Sequence, residues 1–128
     1  MGRALKGYLI DSVVLIDHFN GVGAATGFLL DHHDALSISV ITRAEVLTGF
    51  DAAAEAQARA FLDRFTIHAL SAADADLAAS LRREHRWKLP DALQAAVAIN
   101  RGLLLVTRNT KDFDPARHAF VHVPYPFP

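Results

Sequence analysis

The sequence predicts an α/β protein built on a central, mainly parallel β-sheet. Short apolar runs alternate along the chain with longer segments of helical character, and this alternation is typical of parallel strands joined by crossover helices. The run Leu103–Val106 is continuously apolar, as expected for a strand that is covered on both faces. With 128 residues, the chain is expected to form a single domain over 1–128 and to bury a substantial core.

The first half of the chain is expected to supply three strands and the helices between them. Val13, Val14, Ile16 and His18 would line one face of the first helix, which begins directly after Asp11. The expected elements, in chain order, are a strand at 7–10, a helix at 12–19, a helix at 24–33, a strand at 35–39, a helix at 40–50, a helix at 53–65 and a strand at 66–70.

The second half is expected to supply two helices and two further strands. Ser71 and Asp74 have the spacing of a capping box and begin a helix that runs into the basic stretch 82–88. Pro90 suits the first turn of the next helix, and Gly102 suits its left-handed end. That helix should be buried, because residues 92–99 are apolar except for Gln94. After the strand at 103–106, residues 118–123 are expected to form a last edge strand.

Composition restricts the classes of function that remain open. The chain has no cysteine, which excludes disulfides, zinc sites with thiolate ligands and thiol nucleophiles. Its formal net charge of −1 argues against a global basic field for nucleic acid, although a local basic face stays open. The seven histidines show no ligand spacing. Neither a secretory pattern nor a long uncharged stretch is found, so a cytoplasmic protein without membrane contact is expected.

Four acidic residues are expected at one edge of the sheet. Asp11 directly follows the first strand, and Glu45 lies early in the helix that leaves the second. Asp91 lies in the first turn of the buried helix, and Asp112 lies in the loop after the strand that this helix precedes. In open α/β sheets, ligands bind beyond the carboxyl ends of the strands, near the point where the strand order reverses. The four carboxylates are therefore expected to line one crevice.

Each acid also has a purely structural interpretation. Glu45 and Thr42 have the spacing of a capping box, and Asp91 complements the dipole of its helix. Asp11 suits a helix cap and Asp112 suits a turn. Taken together, however, like charges at close range raise one another's pKa and cost stability unless a cation neutralises them. Four carboxylates in one crevice therefore indicate a metal site, and oxygen ligands favour Mg²⁺ or Mn²⁺ over Zn²⁺.

The residues around these acids resemble the motifs of PIN-domain nucleases, and closely those of the VapC-type toxins of bacterial toxin–antitoxin pairs. The resemblance is carried by LIDSVVLI at 9–16, TRAEVLTG at 42–49, LPDA at 89–92 and VTRNTKDF at 106–113. It extends from residue 8 to about residue 123. The resemblance implies a three-layer α/β/α fold, metal-dependent endonucleolytic cleavage of RNA, inhibition by a small cognate antitoxin, and a homodimer.

The resemblance assigns catalysis and metal binding to Asp11, Glu45 and Asp91, with Asp112 completing the site. Some family members have an acid in place of Asn109, which leaves open whether one or two metal ions bind. The ion would lower the pKa of a bound water and stabilise charge on the phosphate during in-line attack. RNA products would then carry 5′-phosphate and 3′-hydroxyl ends. Ser12, Thr107 and Asn109 are expected to orient carboxylates or waters.

Basic residues near these motifs are candidates for contact with the RNA backbone. Trp87 lies within the basic stretch and would be available to stack on a base, whereas the other interpretation is a solvated helix end where cations suit the dipole. The candidate RNA-binding residues are Arg43, Arg82, Arg83, Arg86, Lys88, Arg108 and Lys111.

Other functions of carboxylate-bearing α/β folds fit the sequence less well. A haloacid-dehalogenase-type phosphatase requires a second Asp two residues after Asp11, where Val13 stands. A response-regulator receiver requires an acidic pair at the first strand and a Lys after a late strand, where Arg108 follows Thr107. The alternative that stays open is an inactive PIN-like module that only binds protein. The four acids argue against this alternative, and Asn109 keeps it open.

Overall fold

A five-stranded sheet forms the centre of the computed structural model, which describes residues 7–126. The strands are β1 (Tyr8–Ile10), β2 (Leu36–Ser39), β3 (Thr66–His68), β4 (Leu104–Val106) and β5 (Val121–His122). They lie in the order β3-β2-β1-β4-β5, and all four neighbouring pairs are parallel. The predicted parallel sheet is thus confirmed.

Helices fill nearly every connection between the strands. The described residues form α1 (Ser12–Phe19), α2 (Gly23–Asp31), α3 (Val40–Thr48), α4 (Ala52–Leu62), α5 (Ala72–His85) and α6 (Leu89–Arg101), with a 3₁₀ turn at His33–Ala35. These helices and strands lie within a few residues of the predicted ranges, except at the last strand.

The sheet separates two hydrophobic cores, which makes the fold the predicted three-layer α/β/α arrangement. Successive residues of one strand point to opposite faces, so Leu9 enters one core and Ile10 the other. Leu105 and Val106 of β4 divide in the same way. Residues of α5 and α6 cover the first core, and residues of α1 to α4 cover the second.

Helix α6 has the boundaries and the burial that its sequence indicates. Pro90 stands in its first turn, and Gly102 ends it with a left-handed φ of 67°. The residues at 94–98 are all buried, including Gln94 at 1% exposure. The preceding helix α5 begins with the predicted capping box between Ser71 and Asp74.

Two sequence interpretations are wrong at the level of local structure. Helix α3 is capped by Ser39, whose side chain accepts from the backbone N–H groups of Ile41 and Thr42, so Thr42 and Glu45 form no capping box. The last strand has two residues rather than six, because a turn in which the N–H of Val121 donates to the carbonyl of His118 occupies its predicted start.

Within residues 7–126, no helix is by itself both long and apolar enough to cross a membrane, and α1 with α2 meets that criterion only as a pair bent by 117°.

Candidate active site at the carboxyl edge of the sheet

The strand order reverses between β1 and β4, and the predicted acids gather at the carboxyl ends of these strands. Ile10 pairs with Val106, the last residue of β4, and the N–H of Asp11 donates to the carbonyl of Val106 at 3.0 Å. Asp11 therefore lies beside Thr107, although 96 residues separate them in the sequence. An open crevice of about 440 Å³ begins here, and Glu45, Asp91 and Asn109 also line it.

Asp11 is a buried carboxylate held by three hydrogen-bond donors. Its Oδ1 accepts from the N–H of Ser12 at 2.9 Å and from Nε2 of Gln94 at 3.2 Å, and its Oδ2 accepts from Oγ1 of Thr107 at 2.8 Å. Burial raises the pKa of Asp11, and the three hydrogen bonds oppose that rise. Because a carboxylate offers about four lone-pair positions, one position on Oδ2 is left for a further ligand.

Glu45 reaches the same crevice from α3. Its Oε1 accepts from Oγ of Ser12 at 2.8 Å, so Ser12 contacts two acids, one through its N–H and one through its hydroxyl. Desolvation raises the pKa of Glu45, and the negative charge of Asp11 adds to the rise. The two carboxylates therefore interact electrostatically across the crevice, and neither has a cation as its hydrogen-bond partner among the contacts described.

Asp91 also has a raised pKa. It is partly buried in the first turn of α6. Desolvation raises its pKa to about 6, and repulsion from Asp11, Asp112 and Glu45 contributes to the rise, whereas Lys88 opposes it. Asp91 thus interacts with all three of the other predicted acids, which places the four carboxylates in one electrostatic cluster.

Asp112 is not among the residues that line this crevice, and it lines the adjacent pocket, which shares Lys111 with the crevice. Its Oδ2 accepts from Nδ2 of Asn109 at 3.2 Å, and its backbone carbonyl accepts from Nε1 of Trp87 at 3.0 Å. Asn109 is itself positioned by Thr107, whose Oγ1 accepts from the N–H of Asn109 at 3.0 Å. Asn109 therefore contacts Asp112, and of these two residues it is Asn109 that lines the crevice.

A buried polar network beneath the acids was missed by the sequence interpretation. Gln94 of α6 donates through Nε2 to Asp11 and to Oγ1 of Thr42, and its Oε1 accepts from Oγ of Ser39. Thr42 in turn donates to the carbonyl of Ile10 at 3.1 Å. The signal was present in the sequence, because Gln94 is the one polar residue between Ala92 and Ile99. An isolated buried amide requires polar partners.

The chemistry of these donors fits a hard divalent cation. All four candidate ligands are carboxylates, which suit Mg²⁺ or Mn²⁺, and a cation would relieve the repulsion that raises the pKa of Asp91. Within the described part of the chain, no three acidic or histidine side chains already stand close enough together to enclose an ion. The side chain of Glu45 is exposed and that of Asp91 is only partly buried, so neither is locked by packing.

The predicted RNA-binding cations fall into two groups. Nη1 of Arg43 contacts Oδ1 of Asp63 at 2.8 Å. Arg108 makes a two-pronged contact with Asp17, through Nε at 2.6 Å and Nη2 at 3.0 Å, and Tyr125 donates to the same carboxylate. These two guanidinium groups thus pair with carboxylates of the protein, and Arg108 also lines the acidic crevice. The remaining candidates are exposed; they are Arg82, Arg83, Arg86, Lys88 and Lys111.

Trp87 is not available to stack on a base. Its side chain is 4% exposed, one ring face stacks on His85 at 4.3 Å, and Phe113 packs against it at 4.9 Å. With its indole N–H bonded to the carbonyl of Asp112, Trp87 instead supports the loop that carries the fourth acid.

Comparisons with known proteins agree with this geometry. The family model described as "PIN domain" matches residues 8–118. A chain in a toxin–antitoxin complex from Klebsiella pneumoniae is 37% identical, with 94% of this chain and 100% of that chain covered and a TM-score of 0.87. No curated protein matches the chain.

More distant solved structures share the fold. FitAcB from Neisseria gonorrhoeae is 21% identical, with a TM-score of 0.77 over 91% of this chain and 97% of that chain. VapBC2 from Rickettsia felis, bound to a DNA fragment from its promoter, is 24% identical, with a TM-score of 0.72 over 89% of this chain and 94% of that chain.

Proposed function

The chain belongs to the PIN-domain family and is of the VapC type, and from this premise we propose that it is a metal-dependent endoribonuclease that acts as the toxin of a toxin–antitoxin pair. The observation that carries the proposal is the cluster of Asp11, Glu45, Asp91 and Asp112, because the other three acids all raise the pKa of Asp91. A fold gains nothing in stability from such a cluster, so its retention favours a catalytic role.

Each acid has a distinct part in the proposed site. Asp11, Glu45 and Asp91 would hold Mg²⁺ or Mn²⁺, with Asp112 completing the set. When bound, the ion would supply an acidified water and charge stabilisation at the phosphate. Asp11 is fixed by its three donors and contributes a rigid ligand, whereas the exposed Glu45 can adjust to the substrate.

The polar residues around the acids orient them through hydrogen bonds. Ser12 fixes the relative positions of Asp11 and Glu45, Thr107 holds Oδ2 of Asp11, and Asn109 holds Asp112. Hydrogen bonds that favour the charged carboxylate oppose part of the rise that burial causes in the pKa of Asp11. These residues thus position the catalytic carboxylates without touching the substrate.

A cognate antitoxin is the proposed protein partner, and cytoplasmic RNA is the proposed substrate. The similar chain from Klebsiella pneumoniae was solved in a toxin–antitoxin complex, which supports such a partner here. A short reading frame just upstream that encodes a DNA-binding protein would support this assignment. The homodimer implied by the family resemblance stays a prediction.

The test is cleavage of RNA by the wild type and by Asp11→Asn. Asn keeps the shape and the accepting oxygen of Asp11, so the variant should fold while losing a charged metal ligand. Expressed in cells, the wild type should slow growth and create new RNA 5′-phosphate ends, and the variant should create none. Identical growth and identical end profiles would refute the ribonuclease proposal. If purified protein also showed no Mn²⁺-dependent thermal shift, the inactive binding module would be favoured instead.

A further inference from the structure

A second pocket opens beside the acidic crevice, on the far side of the loop that carries Asp112. It measures about 310 Å³, and we call it the histidine pocket. Its lining includes His85, Arg86, Lys111, Arg117 and His118 around the edge of Trp87. Lys111 lines both the acidic crevice and the histidine pocket, so a single chain of RNA can pass from one to the other.

The charge in this pocket is mainly positive and is not neutralised by the protein. Among the hydrogen bonds and ion pairs of residues 7–126, none involves the side chains of Arg86, Lys111 or Arg117. By contrast, four arginines elsewhere are bound to carboxylates; they are Arg43, Arg59, Arg101 and Arg108.

The histidine pocket is also lined by two acids, Glu84 and Asp112, but its net charge remains positive. Glu84 lies 3.8 Å from Nε2 of His85, and Asp112 is hydrogen-bonded to Asn109. Three cations without an ion-pair partner therefore face two acids, and each of these acids already has a partner of its own. The pKa of His118 is lowered by burial and by the positive charges of His85 and Arg117, which outweigh the opposing charges of Asp114 and Glu84. An anion in the pocket would relieve this repulsion.

The conformation of Arg86 also points to a ligand. It ends α5 with a φ of 61°, and it is the one non-glycine residue with positive φ among residues 7–126. Glycine takes this left-handed conformation without steric cost, so an arginine here is conformationally unfavourable. The conformation places an unpaired guanidinium at the pocket, which is a reason to retain arginine.

The aromatic lining of the histidine pocket favours a phosphate over a base as its ligand. His85 stacks on Trp87 at 4.3 Å and His118 makes an edge contact with each ring at 5.0 and 5.1 Å, so the buried indole of Trp87 offers no open face. Stacking on a base requires an open aromatic face, whereas a phosphate oxygen needs only N–H donors and positive charge. Guanidinium, ammonium and imidazole groups supply these donors.

We propose that the histidine pocket binds a backbone phosphate of the RNA strand next to the scissile phosphodiester, an inference that rests on the proposed ribonuclease function. His85, Arg86, Lys111, Arg117 and His118 contact that phosphate and set the direction in which the strand enters the acidic crevice. Contact is with the phosphate alone, so the pocket contributes affinity without base specificity.

The test measures binding of a short, fluorescently labelled single-stranded RNA to the full chain carrying Asp11→Asn, which prevents cleavage. Arg86→Gly and Arg117→Gln are combined, and Arg64→Gln, an exposed arginine outside both pockets named here, is the matched control. The double variant should weaken binding for all RNA sequences. It should also reduce the slope of log K against log salt by about 0.7, the value for one phosphate on a single strand. The control should change neither.

The outcomes separate this proposal from the proposed function. Because glycine suits the left-handed position, Arg86→Gly should keep the wild-type melting temperature, so weaker binding cannot be ascribed to unfolding. If the double variant keeps the slope of log K against log salt that the Asp11→Asn protein shows, the pocket does not bind a phosphate of the RNA. Loss of binding to polyglutamate with RNA binding unchanged would reassign it to a protein partner. If the salt slope falls but wild-type protein with Mn²⁺ cleaves no RNA, the ribonuclease proposal fails while the phosphate pocket stands.

Discussion

One aspartate lies near each end of helix α6, and the pKa values of the two shift in opposite directions. At its beginning, Asp91 faces three other acids, and its pKa is raised to about 6. At its end, Asn100 and Arg101 donate to Asp74 of α5, with Arg101 contacting both carboxylate oxygens at 2.9 and 3.0 Å. The hydrogen bonds from Arg101 lower the pKa of Asp74, although this residue is fully buried.

Burial alone does not identify a functional acid in this protein. Asp74 is satisfied by Ser71, Asn100 and Arg101, and its ionised form is part of the fold. Asp91 lacks such partners, and its ionised form is penalised by its neighbours. A carboxylate whose charge is stabilised by the protein joins α5 to α6, whereas one whose charge is opposed by the protein is available for an external cation.

The largest expected difference between the two ends is in catalysis. Asp91→Asn should lower RNA cleavage on the order of 10³-fold or more, as expected for loss of a catalytic group. Asp74→Asn should leave kcat unchanged under conditions where the variant is folded. Initial rates with Mn²⁺ on a labelled RNA measure both effects. Equal losses in the two variants would show that the comparison is mistaken.

For stability, the larger effect is expected at Asp74 and not at Asp91. Asp74→Asn leaves the Arg101 guanidinium without its carboxylate and should reduce the free energy of unfolding by about 3 kcal/mol. Urea denaturation followed by circular dichroism measures this loss. Asp76→Asn on the exposed side of the same helix is the control and should change stability by less than about 0.5 kcal/mol. A loss no greater than that of the control would contradict a structural role for Asp74.

Binding of a metal ion should stabilise the folded protein through the acid cluster around Asp91 and not through Asp74. At a Mn²⁺ concentration of about 100 times its dissociation constant, binding should add about 2.7 kcal/mol to the free energy of unfolding. The melting temperature of the wild type and of Asp76→Asn should rise with Mn²⁺, and that of Asp11→Asn should not. A rise of the same size in Asp11→Asn would place the metal elsewhere.

The smallest expected effect is a difference in pH dependence. The folded state binds a proton at Asp91 more tightly than the unfolded state, so this group contributes stability at low pH that is lost as pH rises from about 4 through 6. Allowing for its partial exposure, the loss is about 1 kcal/mol. Asp74 has a lowered pKa, so its contribution is present above about pH 4 and is lost only on further acidification.

These two windows can be separated by melting temperatures measured in EDTA across pH. Three histidines have a lowered pKa, so the folded protein also gains stability from them as pH rises over part of the same range. They are His68, His118 and His122. The informative quantity is therefore the difference between Asp91→Asn and the wild type. That difference should grow in favour of the variant between pH 4 and 6, and a constant difference would show that Asp91 is not perturbed.

Much of the fold was predictable because its signals are local. Strand β1, the first helix and the end of α6 at Gly102 follow from a short apolar run, a periodic pattern and one left-handed glycine. The capping box of Ser71 and Asp74 was predictable for the same reason. The gathering of the acids at one edge also follows, because parallel strands bring their carboxyl ends together and Asp11 directly follows such an end.

Only the tertiary structure shows which distant residues the functional side chains contact. Gln94 meets Asp11 across 83 positions, and Arg108 meets Asp17 across 91. Nothing near Arg108 in the sequence distinguishes a guanidinium that binds RNA from one that binds a buried acid. Trp87 likewise lies in a basic stretch, yet its ring is buried by Phe113 of a later loop. Local sequence sets backbone conformation, whereas burial and charge pairing depend on contacts that form only when distant segments pack together.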